Sequence, residues 1–329
     1  MRILAKASIG VAFGMLLLWL ALSEIDIEQG RLVIGQASAG YMALAVASYW
    51  LAIAIRIVRW RLLLSGTGRL SLGQVSQALI VGYAVNNVLP ARLGEIFRAD
   101  FLRRRFGVSR SAALGSIIVE RLMDGMSVVL LLGVGLTAVD SFNNKTLSSA
   151  AIAGCALVVI GLATVYAMIF WHERLPLARL PWLEKRVRTF VQGMMAVRGP
   201  QFVKALILTA VVWCFEAAAV YLIMRGFGID VTFLGASLTI GAAALSTLLP
   251  SAPGYLGSLQ VAFVLAYSAL GLTPVLGVLS ATAVQVLLLG STTLVGLAML
   301  VLTYSRGTVT SVRQLASGDE QRPFGAPTH

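Results

Sequence analysis

The fold of this chain turns on one stretch, VLPARLGEIFRADFLRRRFGVSRSAALGSIIVERLMD, Val88–Asp124. It gathers Arg92, Glu95, Arg98, Arg110, Glu120, Arg121 and Asp124 within a sequence that is 58% apolar and 12% charged. Soluble domains hold about 25% charged residues. Apolar runs of about 18 residues or more recur around the stretch, so the solvent is a bilayer and the elements are helices. Charge at membrane depth is costly, and by default it marks a pathway, a partner or a ligand.

Working outward, apolar segments fall at 5–22, 40–58, 72–90, 111–139, 148–170, 203–224, 231–250, 255–270 and 274–304. They form one integral membrane domain over 1–304, followed by a polar tail, 305–329, expected to be disordered. Arg2 and Lys6 before an apolar run ending Ala21-Leu22-Ser23 have the outline of a signal peptide. The segment is read as a retained first helix, because its removal would leave the acidic loop of Glu24, Asp26 and Glu28 as the N-terminus.

The net charge of +12 does not point to nucleic acid, because the basic residues cluster in loops between apolar runs. Those loops fix a topology. If 72–90 crossed the membrane, the arginines of 92–110 would face outside and the basic loop 171–202 would follow them. If 72–90 enters from the cytoplasm and returns, all of the 26 basic residues except Arg31, Arg121, Lys145 and Arg225 lie on the cytoplasmic side. Arg56, Arg59, Arg61 and Arg69 are counted in the first of these cytoplasmic loops. The re-entrant reading follows, with the break at Asn86-Asn87 and Pro90. Both termini are then cytoplasmic, in a bacterial inner membrane.

Residues 231–305 hold no charge but contain Leu249-Pro250-Ser251-Ala252-Pro253-Gly254. They cross an odd number of times, either as a re-entrant pair over 231–270 plus one span, the arrangement preferred here, or as three full spans. The expected fold is all-α, with about six full transmembrane helices and two oppositely oriented broken pairs. The breaks resemble each other: Asn87 to Glu95, with Pro90 and Gly94, aligns with Thr247 to Ser258, with Pro250, Pro253, Gly254 and Gly257. Interrupted segments at matching places in two halves point to a binding site near the midplane. A chance likeness of two short Leu-Pro fragments is the alternative.

Three groups carry chemistry. Arg92, Glu95 and Arg98 recur every third residue on a helix starting after Pro90, where they can pair. Alternatively, they can offer phosphate a helix N-terminus with guanidinium forks. Ser116, Glu120, Asp124 and Ser127 make a polar stripe, with Arg121 able to reach Asp124. That leaves a negative balance for Arg92 or Arg98 to offset, either in a structural ion network or in a substrate path. Glu216 lies mid-helix near Trp213, where it is either a neutral hydrogen-bonded acid or functional. Between 182 and 194, Trp182, Val187, Phe190, Val191 and Met194 alternate with Lys185, Arg186 and Arg188. This is a basic amphipathic helix expected to lie on an anionic membrane surface.

Cys155 and Cys214 sit in apolar helices and are expected to pack there; His172 and His329 suggest no metal cluster, and no cofactor is implied. No P-loop, HExxH or Gly-x-Ser-x-Gly occurs. Clustered aspartates suited to Mg²⁺ are also missing, and Arg121 between Glu120 and Asp124 opposes a cation.

Leu-Pro-x-x-x-Gly-Glu-x-x-Arg ending at Arg98, Glu-Arg-x-x-Asp at 120–124, Glu216 and Leu-Pro-x-x-Pro-Gly-x-x-Gly ending at Gly257 together resemble a known family. This is the flippase-like family, also called the lysylphosphatidylglycerol synthase transmembrane-region family, and the resemblance runs from about residue 5 to 304. It implies translocation of a phosphate-bearing lipid: a phospholipid, an aminoacyl-phospholipid, a polyprenyl-phosphate-linked sugar or a hopanoid-type lipid. It also implies a site built from the residues above, and no nucleic acid. A non-transporting partner of a lipid-modifying or glycosyltransferase complex is the alternative, and an intramembrane transferase acting on a lipid phosphate is a third reading. The family's bifunctional members carry a soluble aminoacyltransferase domain after the membrane part, so lysyltransferase activity is not expected of this sequence. Gln260 stands near where many relatives have Glu, which puts any carboxylate role there in doubt.

Overall fold

The computed structural model describes residues 15–16, 18–19, 27–89, 93–137, 145–171, 181–195, 200–248 and 252–316. In chain order the helices are α1 (Ile27–Gly35), α2 (Ala39–Leu63), α3 (Leu72–Val88), α4 (Leu93–Phe106), α5 (Arg110–Thr137) and α6 (Lys145–Trp171). There follow α7 (Pro181–Met194), α8 (Pro200–Gly226), α9 (Phe233–Ser246), α10 (Ser258–Ala269), α11 (Pro274–Ala283) and α12 (Gly290–Ala316). A π-helical segment, Val284–Leu289, joins α11 to α12.

Length sorts these helices into two kinds. Ala39–Leu63, Ser148–Phe170, Pro200–Gly226 and Pro274–Thr303 are long and apolar enough to cross a membrane. The 28-residue α5 matches them in length but carries Glu120, Arg121 and Asp124. Helices α3, α4, α9 and α10 have 17, 14, 14 and 12 residues. At a rise of 1.5 Å per residue they reach about 18–26 Å, short of a hydrocarbon core of about 30 Å. They pack as two hairpins, α3–α4 and α9–α10. The chain is thus an all-α polytopic membrane protein with two broken pairs. Segment 5–22 lies almost entirely outside the described residues.

Local chemistry starts the hairpins where the sequence allows. Ser71 and Gln74 form a reciprocal capping box at the start of α3, and the Thr232 hydroxyl accepts from Gly235 N–H at the start of α9. In α3–α4 the backbones approach so closely that a Cβ on Gly94 would lie 2.1 Å from the Gly82 carbonyl oxygen. Small residues at such crossings let helices meet without a hydrophobic drive from lipid.

The helix contacts follow a reciprocal pattern. Helix α2, before the first hairpin, makes its most extensive contact with α8, before the second. Helix α3 packs on α12, the long helix after the second hairpin, and α9 packs on α5, the long helix after the first. The contact between α5 and α9 is backbone-close at Gly135 against Leu238 and at Gly241 against Leu132. This is the arrangement expected of two related units, α2–α5 and α8–α12, with α6 and α7 between them in sequence.

Three expectations need correction. Arg56 and Arg59 do not lie in a cytoplasmic loop. Helix α2 continues through them to Leu63, because Ile53, Trp60 and Leu63 extend its buried face past both. Helix α7 is amphipathic, but its apolar side meets protein: Val191 and Met194 are fully buried, and the Gly193 and Gly115 positions bring its backbone against α5. Cys155 and Cys214 are exposed on their helices rather than packed. The last helix, α12, spans Gly290–Ala316.

Candidate functional site

The charges of three helices, α2, α4 and α8, converge on those of α5. Arg59 of α2 is fully buried, with Nη1 2.5 Å from Asp124 Oδ1, Nη2 3.1 Å from Glu120 Oε1, and a further hydrogen bond of 3.0 Å from Nη1 to Thr209 Oγ1. Arg98 of α4 meets the other Glu120 oxygen at 2.5 Å, and its guanidinium stacks 3.9 Å from the Trp60 ring centroid. Trp60 in turn donates to Ser116 Oγ. Arg121 bonds Glu120 at 2.8 Å and Asp124 at 3.2 Å, and its Nε lies 3.6 Å from Glu95. On the far side, Arg56 pairs with Glu216 at 2.9 Å and donates to Tyr83 Oη, while Trp213 Nε1 donates to Asp124.

Four guanidiniums, Arg56, Arg59, Arg98 and Arg121, therefore face four carboxylates, Glu95, Glu120, Asp124 and Glu216. Each buried charge has a partner, as the desolvation cost demands. The net negative charge of Glu120, Arg121 and Asp124 in α5 is met by Arg59 of α2 and Arg98 of α4, with Glu95 completing the balance. Glu216 is an ion-pair partner rather than an isolated acid. Glu95 and Arg98 do not pair with each other as their spacing suggested; α4 turns Glu95 to Arg121 and Arg98 to Glu120.

A cavity of about 190 Å³ opens beside this network. Its wall includes Arg56, Tyr83, Asn86, Asn87, Glu95, Arg121 and Glu216, with Tyr49, Trp213, Thr247 and Tyr255. Arg98, Glu120 and Asp124 are not on that wall; they hold the residues that are. The buried Nε–H groups of Arg56, Arg59, Arg98 and Arg121 make no hydrogen bond, and that of Arg121 faces Glu95 at 3.6 Å.

Both helix breaks reach this cavity. In the first, Asn86 Oδ1 accepts from Gly94 N–H at 2.7 Å, so the N-terminus of α4 already has one of its free donors engaged. Asn87 donates to Leu289 O at 3.2 Å and to Thr293 Oγ1 at 3.0 Å on the last helix. Pro90 and Arg92 lie outside the described residues, as does Pro250. In the second break, Pro253 opens a short 3₁₀ turn, and Gly254, Tyr255 and Gly257 have φ of 67°, 59° and 84°. Left-handed backbone is uncommon for a residue such as Tyr, and strain of this kind collects at functional sites.

Amides hold this loop. Gln260 Oε1 accepts from Gly257 N–H at 2.8 Å, Gln260 Nε2 donates to Gln285 Oε1 at 2.6 Å, and Gln285 Nε2 donates to Gly254 O at 2.9 Å. Gln285 lies in the π-helical segment, a distortion frequent at functional sites. No local pattern marks Gln285, since its loop partners lie 25 or more positions away in sequence. Arg56 and Arg59 did leave a signal: the apolar period of Ala52–Leu64 continues unbroken through both.

A polytopic membrane protein with a charge-balanced polar cavity between two broken hairpins is thus defined. The chain matches the model of the lysylphosphatidylglycerol synthase TM region over residues 7–296 and belongs to that family. It is similar to a UPF0104 membrane protein of Methanocaldococcus jannaschii, 23% identical over 55% of this chain and 77% of that protein. A UPF0104 membrane protein of Pyrococcus horikoshii is 24% identical over 82% of this chain and 88% of its own length. The glycosyltransferase AglD of Haloferax volcanii is 23% identical over 90% of this chain, which spans 54% of that protein.

Proposed function

We propose that the chain translocates a phosphate-bearing lipid, binding its headgroup in the cavity between the two breaks. The observation that carries this reading is the placement of two guanidiniums, Arg56 and Arg121, on the wall of a cavity that residues of both helix breaks also line. Guanidinium donors suit phosphate oxygens. The surrounding carboxylates keep the site neutral overall, so an anion entering it finds donors already oriented. The reciprocal contacts of the two units support an inverted repeat, in which one half rocks against the other. We place the protein in a bacterial inner membrane with both termini cytoplasmic, from the distribution of its basic residues. The basic residues Lys185, Arg186 and Arg188 of α7 face anionic lipid headgroups.

The test is lipid movement in proteoliposomes containing the purified full chain. A panel of fluorescent phosphatidylglycerol, phosphatidylethanolamine and polyprenyl phosphate would be followed by chemical quenching of the outer leaflet. At least one lipid moves faster than in protein-free vesicles, and the paired substitution Arg56→Gln with Glu216→Gln slows it tenfold or more. Folded protein that moves none of the panel, or a paired variant moving lipid at the original rate, counts against the reading.

A second reading is favoured by the similarity to a protein named a glycosyltransferase. In that case the membrane unit presents a lipid to an enzyme without moving it. A stable enzyme partner retained on purification, with no lipid movement by the isolated chain, distinguishes it.

A further inference from the structure

An apolar crevice of about 330 Å³ lies between α5, α6, α9 and α10. Its wall includes Leu132, Ala153, Gly154, Leu157, Leu245 and Leu248. An apolar cavity of about 150 Å³ accommodates a benzene ring, so this one has room for a substantial length of hydrocarbon.

The position of the crevice singles it out. The end of α9 divides it from the polar cavity: Ala244 and Thr247 line the cavity, whereas Leu245 and Leu248 line the crevice. The second break divides the two spaces again, with Tyr255 on the polar wall and Ser258 on the apolar one. One turn of helix and one strained loop thus separate a site for charge from a site for hydrocarbon. The packing keeps the crevice open: Gly154 sits where a Cβ would come within 3.4 Å of a Leu245 methyl group. The chain lies in a bilayer, so hydrocarbon is the medium that reaches such a wall.

We infer that this crevice holds a hydrocarbon chain of the same lipid whose headgroup occupies the polar cavity, with the end of α9 lying in the fork between them. The inference rests on the headgroup reading and adds a chain site to it. Chain occupancy and headgroup binding are therefore coupled, whereas annular lipid on the outer helix faces is independent of the arginines.

The experiment uses cells expressing the full chain and fed a sixteen-carbon fatty acid bearing a diazirine, which makes the acyl lipids photoreactive, with a diazirine-bearing polyprenyl phosphate added to the isolated membranes. After irradiation of the membranes, labelled peptides are mapped by mass spectrometry. Peptides covering 150–157 and 245–248 are expected to be labelled several-fold above the lipid-facing part of α12. The Arg56→Gln/Glu216→Gln pair is expected to lower the crevice labelling at least fivefold and leave α12 unchanged. Ala153→Phe, which fills the crevice, should remove the labelling, and Ala150→Leu serves in its place if that variant fails to fold.

Crevice labelling equal to that of α12 and indifferent to the paired substitution identifies annular lipid and overturns the inference. So does Arg56-dependent labelling confined to the larger apolar crevice around 162–170 and 202–206. Either result leaves the headgroup reading standing if the same paired variant has lost lipid movement in proteoliposomes. If movement is retained there, the headgroup reading fails and the chain site fails with it.

Discussion

The two helix breaks occupy matching places in the two halves and are built from opposite materials. Around the first, Glu95 and Arg98 connect α4 to the ion network of α5, and Asn86 and a close glycine contact join the two helices of the hairpin. The second has no charged residue between 231 and 305; left-handed backbone and a chain of amides from Gly257 through Gln260 and Gln285 to Gly254 hold it. The difference shows that matching architecture does not require matching chemistry. One break supplies charge to the shared cavity, and the other shapes its wall.

The comparison can be broken from its charged side first. Glu120→Leu leaves Arg59, Arg98 and Arg121 sharing one fewer carboxylate in a buried place, and removing one partner of a buried pair costs about 3–5 kcal/mol. The purified variant should show a large fall in unfolding temperature in detergent or fail to accumulate. Unchanged stability would mean that the network is not holding these helices.

Gly94→Ala comes next, since its Cβ would meet the Gly82 carbonyl oxygen and Asn86 in a contact neither side can yield cheaply. Overpacking costs about 1–3 kcal/mol, occasionally more. Its counterpart Gly257→Ala strains backbone at φ 84° and should cost about 1–2 kcal/mol. Thermal unfolding of the two variants side by side should rank them in that order, and a reversal would put the tighter constraint at the second break.

An effect of similar size is expected at the amides. Gln260→Ala removes the acceptor for Gly257 N–H and a partner of Gln285, costing about 1–3 kcal/mol if those groups stay buried and unsatisfied. Gln260→Glu keeps the acceptor and loses only the donor to Gln285, so it should lie between Ala and the native residue in stability. If Glu is worse than Ala, burial of its charge outweighs the retained hydrogen bond.

The smallest change is outside both breaks. Trp182→Ala removes a contact with Arg186 at 5.2 Å and should shift stability by about 1 kcal/mol or less. The measurable loss belongs to binding of anionic over neutral vesicles by the solubilised chain.

By itself the sequence determined the class and much of the frame. Apolar length and the placement of arginines require a polytopic helical membrane protein, and Asn86-Asn87 and Pro253-Gly254 mark the two breaks because such residues interrupt helices. It also marked Glu95, Arg98, Glu120, Arg121, Asp124 and Glu216 as costly in lipid and therefore meaningful. Only tertiary structure decided which charges neutralise which. Arg59 lies 61 positions from Glu120 and Arg56 lies 160 from Glu216, and no local spacing encodes such pairings. It also separated Arg56, Glu95, Arg121 and Glu216, which line the cavity, from Arg98, Glu120 and Asp124, which hold that wall in place. That separation depends on which side of each helix faces open space, and helix packing sets this after the sequence has set the helices.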